Sequence, residues 1–192
     1  MDFKDWYTCY NYFEHNERLP LIEDRHHEFK NFRDIVANDI TPIVMKYVAC
    51  FLNSEDGGVL YVGVDDDSVV HGLRLSQHEF DKFLLSVDQA GKYAMYPPLM
   101  PQKYQIRRIP VYNHRKGREL WVVEVLVRPA PQDRQQGILN YYNRECYMRM
   151  NASTLKMEAL DLMEYIRVNQ PPPPPPKTPL ELLHLVGEWV DK

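Results

Sequence analysis

Two segments carry most of the information about the fold, EDRHHEFK at residues 23–30 and FLNSEDGGVLYVGVDD at residues 51–66. An apolar run with helical spacing separates them, and VLYVGV in the second segment is apolar on both faces, which is typical of a central strand. Together the two segments hold three carboxylates and a lysine, the residue types from which a divalent-metal site can be built. These residues are Glu23, Glu28, Asp66 and Lys30.

The first segment predicts a strand within residues 21–32, in which alternation places Glu28 and Lys30 on one face. Glu23 precedes Glu28 by an odd number of residues, so a straight strand would direct the two carboxylates to opposite faces. The two acids can therefore serve one site only if the chain bends near residues 24–25.

The remaining sequence predicts both helices and strands. Apolar residues at helical spacing indicate helices, and short β-branched runs between turn signals indicate strands. Helices are expected at residues 39–53, 76–90 and 157–168, and strands at residues 59–64, 69–73, 104–111 and 119–127, with a further hairpin within residues 138–150. We therefore expect an α/β fold of the α+β kind, in which helices pack on a mixed β-sheet.

The chain divides into a globular domain with appended segments. The domain covers residues 21–169. A run of prolines makes residues 170–177 a polyproline linker, a semi-rigid spacer that continues neither a helix nor a sheet. Residues 178–192 predict a C-terminal amphipathic helix, which docks on its own domain or on a partner.

Residues 1–20 form an N-terminal strap that is rich in aromatic side chains. Trp6, Tyr10 and Phe13 have the spacing of a short amphipathic helix. The strap either packs over the core or offers an aromatic platform on which bases stack or a partner docks.

Composition limits the classes of function. The chain has 192 residues, of which 44% are hydrophobic, enough for one domain with a buried core. Its net charge of -4 gives no overall signature of a nucleic-acid binder, so any contact with RNA must use a local patch. The three cysteines are odd in number and widely separated, which argues against a disulfide framework and a CxxC-type zinc site. The sequence shows neither a membrane-spanning run nor a signal-peptide pattern, which favours an intracellular protein, in the cytoplasm rather than the nucleus.

Basic residues near the turn at residues 113–117 and on the last strand are either solvated surface or phosphate contacts. The candidates for substrate binding are Arg107, Arg108, Arg115, Lys116 and Arg149. Lys30 is a further candidate, for a phosphate oxygen or for a salt bridge to a neighbouring acid. His26 and His27 are of a residue type that often acts as a general acid or base, but a metal mechanism does not require them.

The order of these motifs resembles the AlbA_2 domain of the Schlafen family. The array Glu23-x4-Glu28-Phe29-Lys30, then a helix, then FLNSEDGGVLYVGVDD carry the resemblance. Further along, HGL, WVVEVLVRP and CYMRMNAST resemble later parts of that domain, so the resemblance covers residues 18–168.

The resemblance implies a metal-dependent endoribonuclease that cleaves tRNA, rRNA or small structured RNA precursors. The family's two glutamates and one aspartate would correspond to Glu23, Glu28 and Asp66, as catalytic residues and as ligands of Mg²⁺ or Mn²⁺. All three positions are acidic here, which favours an active enzyme. The alternative is a noncatalytic nucleic-acid-binding or assembly subunit that pairs with a catalytic Schlafen-like partner.

The chain also departs from the family pattern. Vertebrate members have a zinc site with adjacent cysteines, and this chain has no such pair, so we expect no structural zinc. Those members join two lobes, whereas this chain has one. We therefore expect a homodimer or a heterodimer with another Schlafen-like subunit, as in the nematode nucleases that process piRNA precursors. ATP hydrolysis is not expected, because the sequence lacks a GxxxxGK[ST] loop.

Overall fold

Helices and short strands alternate through the part of the chain that the computed structural model describes. That part comprises residues 7–32, 39–113, 119–128, 138–151 and 153–169. Its strands are β1 Phe13–Glu14, β2 His27–Lys30, β3 Gly58–Val62, β4 Met95–Tyr96, β5 Tyr104–Tyr112, β6 Leu120–Val127, β7 Tyr141–Tyr142, β8 Glu145–Arg149 and β9 Thr154–Lys156. Its helices are α1 Thr41–Leu52, α2 Gln77–Tyr93 and α3 Ala159–Asn169.

The larger sheet is mixed and has the strand order β1-β5-β6-β3-β2. β1 is parallel to β5 and β2 is parallel to β3, while β6 is antiparallel to both of its neighbours. The predicted α+β class is therefore confirmed. Because α1 connects the parallel strands β2 and β3, the carboxyl ends of these strands lie at the same edge of the sheet. Lys30 is the last residue of β2 at that edge, and the acidic turn at residues 65–67 comes shortly after the end of β3.

Both long helices begin where local sequence favours a helix. In α1, Pro42 occupies the first turn and the Asp39 carboxylate accepts the backbone N–H of Thr41 at 3.1 Å. In α2, Ser76 and Glu79 form a capping box, in which each side chain accepts a hydrogen bond from the backbone N–H of the other residue. Both helices pack on one face of the larger sheet, where their apolar stripes meet the valines of β6.

The N-terminal segment covers the opposite face of the larger sheet. Phe13 is fully buried there, and its ring lies edge-on to Tyr61 at a centroid distance of 6.3 Å. Over residues 7–20 the segment forms β1 and turns, so the amphipathic helix suggested by the aromatic spacing is wrong for this part. Trp6, which belonged to that pattern, lies outside the described residues.

A smaller sheet with the order β4-β7-β8-β9 packs against α1, and α3 packs on this sheet through Leu162 and Tyr165. Asn53, which follows α1, joins the two layers. Its side-chain amide donates to the carbonyls of Asn140 and Tyr147, both at 2.9 Å, and its oxygen accepts the backbone N–H of Asn140 at 2.8 Å. This buried amide fixes the smaller sheet relative to α1.

Two predicted strands are shorter than expected. Residues 69–73 make isolated bridges, because Gly63 and Gly72 have φ values of 106° and 66° that interrupt a regular ladder. The strand predicted within residues 21–32 is reduced to β2, because the chain bends ahead of it.

Several expectations concern residues outside the described part. These are the polyproline linker at residues 170–177, the C-terminal helix at residues 178–192, and the basic residues Arg115 and Lys116. Within the described part, no helix combines the length and hydrophobicity needed to cross a membrane.

Candidate active site

Glu28 on β2 has a buried side chain, and cations engage both of its carboxylate oxygens. Lys30 Nζ lies 2.5 Å from Oε1, and Arg149 Nη1 lies 2.5 Å from Oε2. Strand alternation places Lys30 beside Glu28, whereas the smaller sheet brings in Arg149 from β8. The Lys30 side chain is 26% exposed and that of Arg149 is 1% exposed, so the cluster is open on the lysine side only.

Tyr47 on α1 is a third partner of Glu28, because its hydroxyl donates a hydrogen bond to the carboxylate. Burial alone would raise the pKa of Glu28. The hydrogen bonds from Lys30 and Tyr47, with the charges of Lys30 and Arg149, outweigh burial and hold this pKa below its usual value. Burial, and then the hydrogen bond to Glu28, raise the pKa of the Tyr47 hydroxyl. At neutral pH the carboxylate is therefore ionised and the phenol is protonated.

Glu23 reaches the same point because the chain bends directly after it. Asp24 Oδ1 accepts the backbone N–H groups of His26 and His27, at 2.7 and 2.8 Å, and so closes a tight turn at the start of β2. Glu23 Oε1 then accepts the backbone N–H of Phe29 at 2.9 Å and lies 3.8 Å from Lys30 Nζ. The bend that a shared site would need is present, and Glu23 and Glu28 share one lysine.

Asp66 is exposed in the turn that follows β3, the strand paired with β2. Asp65 shapes this turn through its contact with His71, in which Oδ2 and Nε2 are 2.6 Å apart. Ser68 Oγ donates to the carbonyl of Leu21 at 2.6 Å and so holds the turn beside the chain that leads into the first glutamate. The structure brings two of the three predicted acids together and leaves Asp66 on the adjacent turn.

His26 and His27 are buried and contact carboxylates. His26 Nε2 lies 3.2 Å from Asp56 Oδ2, and His27 Nδ1 lies 3.0 Å from Asp24 Oδ1. These contacts tie the bend before β2 to the loop after α1. The two histidines therefore support the position of the strand that carries Glu28.

The predicted basic residues of β5 point to opposite faces of the larger sheet. Arg108 shares a row with Lys30 through the pairs Arg108–Val123, Val62–Val123 and Lys30–Val62. Three strand spacings separate them, about 14 Å. Arg107 lies on the other face, where its Nε is 2.6 Å from the buried carboxylate of Glu124.

The sequence contains no sign of the role of one residue that holds Glu28, and it indicated a different role for another. Tyr47 belongs to the apolar stripe of the predicted helix at residues 39–53, and periodicity alone does not distinguish a buried ring from a buried hydroxyl donor. Arg149 was predicted as a substrate contact. It is buried, and it acts on the site through Glu28 and through the backbone carbonyls of Asp24 and His27.

The donor chemistry of this cluster fits a divalent cation in part. Glu23 and Glu28 supply the hard oxygen ligands that Mg²⁺ and Mn²⁺ take, and the Lys30 ammonium now provides the positive charge between them. Across the residues that the structure describes, no three His, Cys, Asp or Glu side chains are arranged to hold a metal ion. A cation bound here would take the place of the ammonium, and Asp66 would have to approach from its turn.

Residues 23–158, most of the chain, match the family described as Schlafen, AlbA_2. The chain belongs to the Schlafen family. The match begins at Glu23 and includes every member of the cluster around Glu28. Family membership supports a role of this Schlafen domain that is related to nucleic acids.

Among solved structures, the Schlafen domain is similar to the DIP2311 protein of Corynebacterium diphtheriae. The TM-score is 0.46 and the sequence identity 16%, over an alignment that covers 77% of this chain and 24% of that chain. The chain therefore spans less than a quarter of the length of that protein.

Proposed function

We propose that this Schlafen domain is a divalent-metal-dependent endoribonuclease. The observation that carries the proposal is the convergence of Glu23 and Glu28 on Lys30, at the edge of the sheet where the parallel strands β2 and β3 end. Two carboxylates and a cation gathered at an accessible strand end are suited to binding a metal ion against a phosphate.

Each residue of the cluster has a proposed part. Glu23 and Glu28 hold the cation, and Asp66 completes its ligands from the turn after β3. A bound Mg²⁺ or Mn²⁺ would neutralise the phosphoryl oxygens and orient a water molecule for attack. Lys30, released from the carboxylates, binds a phosphate oxygen. Arg149 is a positioning residue, because it holds the Glu28 carboxylate from its buried side.

The proposed substrates are tRNA, rRNA or small structured RNA precursors. Arg108 supports the proposal because it lies on the same face and in the same row as Lys30. Arg115, Lys116 and Arg107 remain proposed RNA contacts. The functional unit that we propose is a homodimer, or a heterodimer with another Schlafen-like subunit, in the cytoplasm, and the C-terminal helix docks the partner.

The test is cleavage of labelled tRNA and of a labelled small RNA by the full chain, with Mg²⁺, Mn²⁺ or EDTA. Cleavage should require the metal and should be lost in Glu23→Gln and Asp66→Asn. Asp67→Asn is the matched control, because Asp67 is exposed in the same turn. A thermal melt of each variant separates loss of activity from loss of fold. Cleavage that persists in EDTA, or in both Glu23→Gln and Asp66→Asn, would refute the proposal.

A second candidate is a noncatalytic subunit that binds nucleic acid or assembles with a catalytic Schlafen-like partner. The contacts of Glu28 favour it, because Lys30 and Arg149 already neutralise this carboxylate. In that case Glu23→Gln and Asp66→Asn would leave RNA affinity unchanged, and metal ions would bind weakly. Isothermal titration with Mn²⁺ and an RNA-binding assay distinguish the two candidates.

A further inference from the structure

An open cavity of about 680 Å³ lies on the smaller sheet, and nothing in the proposed reaction uses it. Arg144, which directly precedes β8, lies at its rim, whereas Arg149 ends the same strand beside Glu28. Three tyrosines line the cavity, and two of them are among the most exposed aromatic side chains of the described residues. They are Tyr93 at 76% exposure, Tyr96 at 72% and the partly buried Tyr141.

The tyrosines are held by regular structure. Tyr96 on β4 and Tyr141 on β7 are cross-strand partners, so their side chains emerge next to each other from one face. Tyr93 ends α2, and the backbone N–H of Asn143 donates to the carbonyl of Ala94 at 2.9 Å. This bond ties the end of α2 to the β7–β8 turn. The aromatic surface is therefore preformed.

The charged side chain that lines the cavity is that of Arg144. A second cation is near one of the lining tyrosines, since Lys92 Nζ lies 4.9 Å from the centroid of the Tyr93 ring. The carboxylates nearest in sequence are engaged elsewhere. Asp88 accepts the hydroxyl of Tyr104 at 2.7 Å, and Glu145 lies 2.5 Å from Lys156 Nζ. The cavity thus combines aromatic faces with cations, in a chain whose net charge is -4.

We propose that this cavity binds unpaired bases of single-stranded RNA, which stack on Tyr93 and Tyr96 while Arg144 contacts a phosphate. Aromatic rings beside cations bind single strands with little sequence preference, because every base has a flat π-face. The five residues of β8 place Arg144 about 16 Å from Arg149. The proposal rests on the proposed ribonuclease function, and it identifies an unpaired segment next to the cleavage point as the substrate feature that is recognised.

A proline-rich segment is the other ligand that an aromatic groove accepts, and this chain contains one at residues 171–176. The positive charge of Arg144 favours RNA, because a run of prolines has no charge for this side chain to contact. A variant in which residues 171–176 are replaced by glycine and serine shows whether the proline run occupies the cavity.

The test measures binding of a short fluorescein-labelled single-stranded RNA to the full chain by fluorescence anisotropy in EDTA, which keeps binding separate from cleavage. Tyr93→Ala and Tyr96→Ala should each weaken binding by about tenfold. Tyr96→Trp, which keeps an aromatic ring at that position, should bind about as tightly as the parent. Arg144→Gln should lower the slope of log affinity against log salt concentration by about 0.7. Tyr112→Ala is the matched control, because Tyr112 is also an exposed tyrosine, at 55%, but lies on β5.

Each outcome decides the proposal. It is overturned if the parent chain does not bind single-stranded RNA, if the tyrosine variants bind as the parent does, or if Tyr112→Ala has the same effect. It is also overturned if replacing residues 171–176 by glycine and serine tightens binding and the tyrosine variants alone do not weaken it. Loss of binding in the tyrosine variants of a chain that does not cleave RNA would support the cavity and refute only the nuclease. Cleavage with unchanged binding in those variants would refute only the cavity.

Discussion

Arg149 Nη1 lies 2.5 Å from Glu28 Oε2, although 121 residues separate the two in sequence. The same guanidinium donates to the backbone carbonyl of His27 at 2.9 Å and to that of Asp24. One buried side chain of the smaller sheet therefore fixes both the bend before β2 and the carboxylate on β2. The site of this Schlafen domain is assembled from both sheets.

Arg149→Ala should lower the free energy of unfolding by about 3 kcal/mol, because it removes the cation on the buried side of the Glu28 carboxylate and leaves only Lys30 and Tyr47 to hold it. Urea denaturation monitored by circular dichroism gives this value. Arg167→Ala is the control, since Arg167 pairs with Glu164 on the exposed surface of α3, where solvent screens the pair, and should change stability little. Equal effects of the two substitutions would contradict the buried ion network.

Removing the hydroxyl of a buried tyrosine should lower the free energy of unfolding at position 47 but not at position 61. Tyr47→Phe should cost about 1.5–3 kcal/mol, because the hydroxyl donates to the charged carboxylate of Glu28. Tyr61→Phe should cost close to nothing, since the Tyr61 hydroxyl is buried and has no hydrogen-bond partner among the described residues. Both values come from the same denaturation experiment, and a larger loss for Tyr61→Phe would reverse the assignment.

Stability should depend on pH through Glu28. Because its pKa in the folded chain lies below the ordinary value of 4.5, the unfolded chain binds more protons in acid. The stabilisation by Glu28 is therefore fully present above pH 4.5 and is lost as pH falls through the lower, folded pKa. Unfolding free energies measured from about pH 7 to about pH 3 should fall more steeply for the parent than for Glu28→Gln. Parallel curves would show that Glu28 is not held in its charged form.

Asn53→Ala should loosen the smaller sheet from α1. It removes the Asn53 hydrogen bonds to the buried carbonyl of Asn140, the partly buried carbonyl of Tyr147 and the Asn140 backbone N–H, at a cost of about 3 kcal/mol. Hydrogen exchange should then be faster at the Asn140 amide than in the parent, while exchange in β3 follows only the change in global stability. Unchanged protection of Asn140 would mean that this amide is held by contacts other than Asn53.

Much of the fold follows from local patterns. The helix predicted at residues 39–53 is α1 Thr41–Leu52, and the strand predicted at residues 119–127 is β6 Leu120–Val127. These elements have strong periodicity or a continuous apolar run, and their ends carry capping and turn residues. The odd spacing of Glu23 and Glu28 likewise meant that a shared site would need a bend at residues 24–25, and Asp24 supplies that bend.

The exposed aromatic surface lies in a segment that local patterns did not single out. The sequence offered the N-terminal aromatics as one possible platform, but Phe13 is fully buried in the core. Tyr93 and Tyr96 are exposed instead, because α2 ends at Tyr93 and β4 pairs with the two residues of β7 at the side of the molecule. Burial depends on which elements pack over a residue, and residue type alone does not report it.

The sequence by itself determined the α+β class, the order of strand, helix and strand in β2, α1 and β3, and the placement of Glu28 and Lys30 on one strand face, because strand alternation and helical periodicity are local properties of the chain. The tertiary structure decided that Arg149 and Tyr47 hold Glu28 in its ionised form and that Asp66 stays on an exposed turn. These contacts depend on how α1 and the smaller sheet pack on the larger sheet. Such packing joins residues distant in sequence, and no spacing rule along the chain specifies it.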